Sequence, residues 1–375
     1  MGADVNAQGA KYGYPLQIAV ANGNDAIAKL LIEKGADVNV GGGPYGSLLQ
    51  KALYQGEGEI AKLLIEKGAD VNAQQGGNGN PLQTALYKGN DGLSQLLIQM
   101  GADVNAQGGE YGHPLQTALY KGSDAIAELL IEKGAHVNAQ GGYYGNPLQA
   151  ASYNGNEAMV KLLIEKGADV DAQGGFYGNA LQAASYNGSE AIIKLLIEKQ
   201  AHFNVGGETY ESLIEKALHQ GKEEIAKLLI EKGAGVNAQQ GGNGNPLQTA
   251  LYKGNGATAQ LLIQMGADVN AQGGKYGNAL QTALYKGSDA IAKLLIEKGA
   301  DVNTQGGYYG NALQAASYKG NDVMVKLLIE KGADVDAQGG KYGNALQAAS
   351  CHGNEAIVKL LIEKQADVNA KGGYY

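Results

Sequence analysis

Residues 146–170 read Asn-Pro-Leu-Gln-Ala-Ala-Ser-Tyr-Asn-Gly-Asn-Glu-Ala-Met-Val-Lys-Leu-Leu-Ile-Glu-Lys-Gly-Ala-Asp-Val, and this stretch decides the fold. Asn146 is an N-cap acceptor, Pro147 sits at the first helical position, and apolar residues follow, so a helix starts here. It is short, because Gly155 suits the left-handed residue at a helix C-terminus. Asn156 caps a second helix and Glu157 complements the dipole of its first turn. Ala158, Met159, Val160, Leu162, Leu163 and Ile164 then recur at helical spacing. Glu157 and Lys161 form an i,i+4 pair worth about 0.3 kcal/mol. Gly167 ends the second helix, and residues 169–179, with Gly174, Gly175 and Gly178, predict an extended turn into the next unit.

The same unit returns every 33 residues without insertion or deletion. Repeats open at Gly2, Gly35, Gly68, Gly101, Gly134, Gly167, Gln200, Gly233, Gly266, Gly299 and Gly332, with a partial repeat at 365–375. A fixed period of this size predicts a solenoid in which each unit buries its apolar face against its neighbours, so the whole of 1–375 is expected to be one repeat domain. A longer period lies over the first. Tyr45-Gly46-Ser47-Leu48-Leu49 in the repeat at Gly35 matches Tyr210-Glu211-Ser212-Leu213-Ile214 in the repeat at Gln200, and Gln74 to Asn80 recurs unchanged at Gln239 to Asn245. The five-repeat block 35–199 is thus duplicated as 200–364. This is either a duplication without functional consequence or a bivalent surface with two similar patches.

Composition narrows the function classes. The formal net charge of −8 disfavours a general nucleic-acid or membrane-surface binder. One cysteine, Cys351, allows no internal disulfide, no apolar run is long enough to cross a membrane, and no leader segment is evident, so a cytoplasmic location is expected. No metal or cofactor is expected. His136 and His202 are two repeats apart, His113 and His219 stand alone, and Cys351 and His352 point about 100° apart on a helix. The paired glycines do not form a phosphate-binding loop, and no Ser/His/acid set stands out, so the chain reads as non-enzymatic.

Asn146-Pro147-Leu148-Gln149-Ala150-Ala151, Gly155, Val160, Leu162-Leu163 and Gly167-Ala168-Asp169-Val170 resemble the ankyrin repeat. The resemblance covers the whole chain and implies an all-α ankyrin-repeat solenoid, helix-turn-helix plus β-hairpin loop, that binds other proteins on its concave side. Three departures from the family pattern recur. Asn stands where the family has a Thr cap. Gln149 and its counterparts stand where the family has His, so the family's His-mediated hydrogen bonds must be made by an amide or be missing. The loop carries Tyr-Gly, so a different loop shape is expected. Tyr177-Gly178-Asn179-Ala180-Leu181-Gln182-Ala183-Ala184-Ser185 is similar to the ankyrin regions of fungal NACHT-type receptors.

Eleven copies permit an internal comparison. The Leu pair of the second helix is constant, as at Leu30-Leu31 and Leu360-Leu361, and reads as core. The residue before the loop tyrosine varies freely: Lys11, Pro44, Gly77, Glu110, Tyr143, Phe176, Thr209, Gly242, Lys275, Tyr308 and Lys341. No packing rule accepts that set, so the position must be exposed. Two tyrosine ladders border it. One lies in the loops (Tyr12, Tyr45, Tyr111, Tyr144, Tyr177, Tyr210, Tyr276, Tyr309, Tyr342, with Tyr375), and one near the ends of the first helices (Tyr54, Tyr87, Tyr120, Tyr153, Tyr186, Tyr252, Tyr285, Tyr318). Each ladder either stacks from repeat to repeat or serves recognition, for which a rigid apolar ring with a polar tip is suited. Beside the helix ladder run Lys88, Lys121, Lys253, Lys286 and Lys319, alternating with Asn154, Asn187 and Gln220.

The candidate binding face is therefore the helix ladder together with Glu110, Tyr143, Phe176, Lys275, Tyr308 and Lys341. It predicts a protein-recognition scaffold, expected to be the ligand-sensing part of a larger cytosolic receptor and favouring an acidic or amide-rich partner. On this reading, replacing Tyr153 and Tyr186 by alanine should leave melting almost unchanged. The terminal repeats lack an obvious polar cap, so a self-assembling or spacer solenoid stacking head to tail is the alternative. Single-strand nucleic-acid binding through the tyrosines and lysines is weakened by the acidic charge.

Overall fold

The computed structural model describes residues 4–9, 13–41, 46–73, 79–201, 213–237 and 244–370. Lys11, Pro44, Gly77, Thr209 and Gly242 of the variable column, Tyr12, Tyr45, Tyr210 and Tyr375 of the loop ladder, and His202 lie outside them. The chain divides into two units, Met1–Thr209 and Tyr210–Tyr375. Among the described residues, twelve helices fall in the first unit and ten in the second.

Each repeat contributes a pair of antiparallel helices. In the repeat of Asn146 these are Pro147–Asn154 and Glu157–Glu165. The Asn146 side chain accepts from the Gln149 backbone N–H at 2.8 Å, Gly155 takes the left-handed conformation (φ 74°), and Asn156 accepts from the Met159 backbone N–H at 3.1 Å. The Glu157–Lys161 pair forms on the exposed side, where it contributes little. Leu148, Ala150, Ala151, Met159, Val160 and Leu163 are buried. Within each unit, first helices pack on the first helices of the adjoining repeats and second helices on second helices, so the core is a continuous layer between the two rows. The loops form narrow hairpins closed by isolated antiparallel bridges, such as Gly141 with Gly145 and Gly306 with Gly310. No longer strand occurs among the described residues.

A buried amide ties each repeat to the next. Gln149 Oε1 accepts from the Asn146 backbone N–H (3.1 Å), completing the helix cap, while its Nε2 donates forward to the carbonyls of Ala172 (3.1 Å) and Gly178 (2.8 Å) in the following hairpin. The same pattern recurs at Gln116, Gln248, Gln281 and Gln314. The amide thus makes the bonds that the Gln-for-His departure left open. Gly145 must be glycine for this to work: its φ is 83°, and a Cβ there would collide with Gln149 Oε1. A second interlock joins the loop bases. Asn105 Oδ1 accepts from the His136 backbone N–H at 2.8 Å and Asn105 Nδ2 donates to the Gly134 carbonyl at 3.1 Å. Asn72, Asn270 and Asn303 do the same.

Two glutamines break the glycine rule at the helix ends. Gln200 (φ 65°) and Gln365 (φ 68°) hold the left-handed conformation that Gly35, Gly68 and Gly167 hold at equivalent positions. Each follows the last residue of a five-repeat block and costs about 1 kcal/mol relative to glycine.

Replacing Gln149 by alanine leaves a cap N–H and two carbonyls without their partner in a dry site. Stability is expected to fall by about 3 kcal/mol, read as a lower urea midpoint, with a loss below about 0.5 kcal/mol contradicting the interlock.

Candidate functional site

The loop and helix tyrosines, separate columns in the sequence, interleave into one stack. In the first unit the ring centroids run Tyr87–Tyr111 5.9 Å, Tyr111–Tyr120 4.7 Å, Tyr120–Tyr144 4.9 Å, Tyr144–Tyr153 5.2 Å, Tyr153–Tyr177 4.9 Å and Tyr177–Tyr186 4.9 Å. The second unit repeats this as Tyr252–Tyr276 5.8 Å, Tyr276–Tyr285 4.4 Å, Tyr285–Tyr309 5.1 Å, Tyr309–Tyr318 5.1 Å and Tyr318–Tyr342 4.8 Å, and His352 packs on Tyr318 at 4.8 Å. These are favourable aromatic separations. The hairpins aim Tyr111, Tyr144, Tyr177, Tyr276 and Tyr309 inward between two helix tyrosines of successive repeats, and Tyr342 against Tyr318.

The ladders therefore differ in depth. Among the loop tyrosines Tyr144 is 3% exposed and Tyr177 5%, Tyr309 and Tyr342 are buried too, and Tyr111 and Tyr276 are half-buried. The helix tyrosines Tyr120, Tyr153, Tyr252, Tyr285 and Tyr318 are half-buried, whereas Tyr54, Tyr87 and Tyr186 are exposed. Tyr153 lies between Tyr144 and Tyr177, so its removal opens the stack. The expectation of unchanged melting suits Tyr186 (50% exposed) and does not suit Tyr153.

Neighbouring phenols influence one another along the stack: Tyr120 helps to raise Tyr111 and Tyr144, and Tyr285 helps to raise Tyr276 and Tyr309. Burial pushes the Tyr111 and Tyr276 phenols up to about 12 and raises Tyr144, Tyr177, Tyr309 and Tyr342 further. Tyr285 goes the other way, lowered first by the hydrogen bond from Tyr276 and then by Lys319 and Lys286.

The variable column lies outside the stack. Glu110, Tyr143, Phe176, Lys275, Tyr308 and Lys341 are all exposed. Their backbones form a ladder from tip to tip: the Tyr143 N–H donates to the Glu110 carbonyl (3.1 Å), Phe176 to Tyr143 (2.8 Å), Tyr308 to Lys275 (3.1 Å) and Lys341 to Tyr308 (3.0 Å). Tyr143 and Phe176 stack at 5.1 Å with their outer faces in solvent. The strip lysines lie over rings of the preceding repeat: Lys88 over Tyr54 (3.9 Å), Lys121 over Tyr87 (4.3 Å), Lys286 over Tyr252 (4.2 Å) and Lys319 over Tyr285 (4.2 Å). Asn154 donates instead to the Leu119 carbonyl. The interleaving could not be read from either column alone, because its contacts alternate between tyrosines 9 apart within one repeat and 24 apart across two. Among the described residues, no group of three or more His, Cys, Asp or Glu could hold a metal, and no helix is long and apolar enough to cross a membrane.

Tyr177→Ala deletes a ring packed on both sides and should cost about 3–4 kcal/mol, while Tyr186→Ala should cost about 1 kcal/mol or less; equal losses in chemical denaturation would contradict the buried stack. A raised phenol favours the folded state while it stays protonated. Its contribution is complete below the ordinary value of 10.0 and is lost as pH rises towards about 12 for Tyr111 and Tyr276. Melting temperature is therefore expected to hold to about pH 9 and fall between about pH 10 and 12, with part of the tyrosine absorbance titrating only on unfolding. Full titration near pH 10 in the native state would overturn this.

A family model described as Ankyrin repeats (3 copies) matches residues 1–75, 48–141, 141–207, 213–306 and 283–372. The comparison with curated proteins gives no match. Among solved structures, the chain is similar to the human ASB11 ankyrin repeat domain, at 27% identity over 57% of this chain and 96% of that chain, with a TM-score of 0.48. Helix pairs, capping residues and 33-residue hairpin units agree with the matched segments, and the chain belongs to the ankyrin repeat family.

Proposed function

We propose that the chain is a non-enzymatic protein-recognition scaffold whose contact surface is the row of hairpin tips with the adjoining tyrosine and lysine strip. The carrying observation is the division of labour at the hairpin. The inward tyrosine is constant in the described hairpins and buried or half-buried, while its neighbour changes from Glu110 to Tyr143 to Phe176 and is exposed each time. A rigid frame bearing exchangeable tips supports recognition because it presents side chains with little ordering left to lose on binding. Equivalent rings in each unit repeat at 5.9–6.3 Å, closer than the about 8–10 Å of packed helix axes. This favours the tip side as the concave one. The likeness of Tyr177 to Ser185 to fungal NACHT-type receptors supports the narrower proposal that this scaffold is the ligand-sensing region of a larger cytosolic receptor.

A second reading, end-to-end self-association, draws on the exposed Ile18, Ile27 and Leu30 of the first repeat; a scattering mass that does not change with concentration would dismiss it.

For the recognition reading, a partner selected from a displayed protein library should lose at least about tenfold in affinity with Tyr143→Ser and Phe176→Ser combined, at unchanged melting temperature. Unchanged affinity for every selected partner would contradict it.

A further inference from the structure

The duplicated block does not carry two copies of one face. At positions 165 apart, Glu110 corresponds to Lys275, Phe176 to Lys341, Asn154 to Lys319 and Asn187 to His352, while Tyr143 and Tyr308 agree. In the second unit, four first helices, Pro246–Lys253, Ala279–Lys286, Ala312–Lys319 and Ala345–Cys351, and the hairpins 271–278, 304–311 and 337–344 contain no aspartate or glutamate, and the Glu215 of the remaining first helix, Leu213–His219, is buried. They carry Lys253, Lys275, Lys286, Lys319 and Lys341, all exposed. The carboxylates of the unit are elsewhere, and its ion pairs among the described residues, such as Lys227 with Glu224 and Lys326 with Asp322, lie on the second helices. An acidic protein thus presents one purely cationic face.

The lysines are held in place. Lys286 and Lys319 lie over Tyr252 and Tyr285 of successive repeats, and Lys341 lies 5.3 Å from the Tyr308 ring. The loop rings beside Lys275 (5.7 Å from Tyr276) and Lys341 (5.4 Å from Tyr342) belong to a column that repeats at 6.3 Å (Tyr276 to Tyr309) and 6.2 Å (Tyr309 to Tyr342). An extended peptide rises about 3.3 Å per residue, so its same-side residues recur at about 6.6 Å. A helix repeats along its axis at about 5.4 Å and falls out of step with these rings within a few repeats.

Resting on the recognition role proposed above, we infer that this face of the second unit binds an extended acidic peptide whose carboxylates occupy alternate positions, one per repeat, between the Lys275–Tyr308–Lys341 tips and the Lys286–Lys319 row. The corresponding face of the first unit keeps Lys88 and Lys121 but carries Glu110, Asn154 and Phe176 where the second has Lys275, Lys319 and Lys341, and does not share this ligand. A single-stranded nucleic acid suits the site less well. Base binding needs free aromatic faces, and here the faces of Tyr276, Tyr285, Tyr309 and Tyr318 are stacked on one another.

The test uses the full chain and four fluorescein-labelled probes of twelve units: alternating Ser-Glu, the same composition arranged as Ser-Ser-Glu-Glu, alternating Ser-Lys, and oligothymidylate. The variant combines Lys275→Glu, Lys319→Asn and Lys341→Phe, which installs the residues that the first unit already carries at those positions, and its melting is checked by circular dichroism. Exposed charge pairs contribute about 0.2–1 kcal/mol each. The alternating Ser-Glu peptide is therefore expected to bind, to weaken at least about tenfold in the variant and with added salt, and to bind at least about threefold tighter than the blockwise peptide.

Equal binding by the folded variant, equal binding of the two acidic peptides, or no binding of the alternating peptide overturns the inference. Tighter binding of oligothymidylate assigns the face to nucleic acid and also overturns it. Loss of Ser-Lys binding in the variant would refute the acidic ligand while leaving recognition by this face standing. The first-unit variants Tyr143→Ser and Phe176→Ser test the general reading independently.

Discussion

A buried glutamine amide that caps its own helix and donates into the next repeat is the interaction on which the rest depends. Gln149 spans 23 residues to Ala172 and 29 to Gly178, and Gln281 spans the same distances to Thr304 and Gly310. One residue inserted between donor and acceptor would move both carbonyls away from a group that has no water to turn to. The absence of any insertion or deletion across eleven repeats follows from this geometry. The asparagine interlocks, with offsets of 29 and 31, impose the same register at the other edge of the repeat.

Fixing the hairpin frees its tip. Once the glutamine holds the hairpin base, the loop tyrosine is driven between two helix tyrosines and the stack forms without help from the preceding residue. That residue can then be Glu110, Phe176 or Lys341 on the same backbone ladder. The charge difference between the two units is possible for this reason: the scaffold tolerates opposite signs at equivalent positions because it asks nothing of those side chains. Stability and specificity reside in adjacent residues of one hairpin, which is a local solution to the conflict between rigid packing and variable recognition.

The helices and their caps were legible in the sequence because their signals are local. Asn146, Pro147 and Gly155 act within their own repeat, and the exposure of the tip column followed from its variety alone. The tyrosine stack was only half legible. Periodicity showed two columns, but their union depends on how far the hairpin leans over the neighbouring helix, and that lean is set by the glutamine bonds between repeats. The helix ladder accordingly looked like a free surface, whereas Tyr153 is a support for Tyr144 and Tyr177. The substitution of Gln for the family's His was visible, but only the geometry shows that one amide fills both the capping role and the linking role.

Hydrogen exchange by mass spectrometry on the Gln281→Ala variant tests the central claim most directly. The protected N–H groups of the following hairpin, those of Gly306 and Tyr308, bond to the Gly310 and Lys275 carbonyls. If Gln281 holds that hairpin, exchange across 304–311 should accelerate at least about tenfold, corresponding to about 1.4 kcal/mol of local stability, while the helix Ala312–Lys319 that follows changes far less. Unchanged protection across 304–311, or an equal acceleration throughout the second unit, would contradict the account.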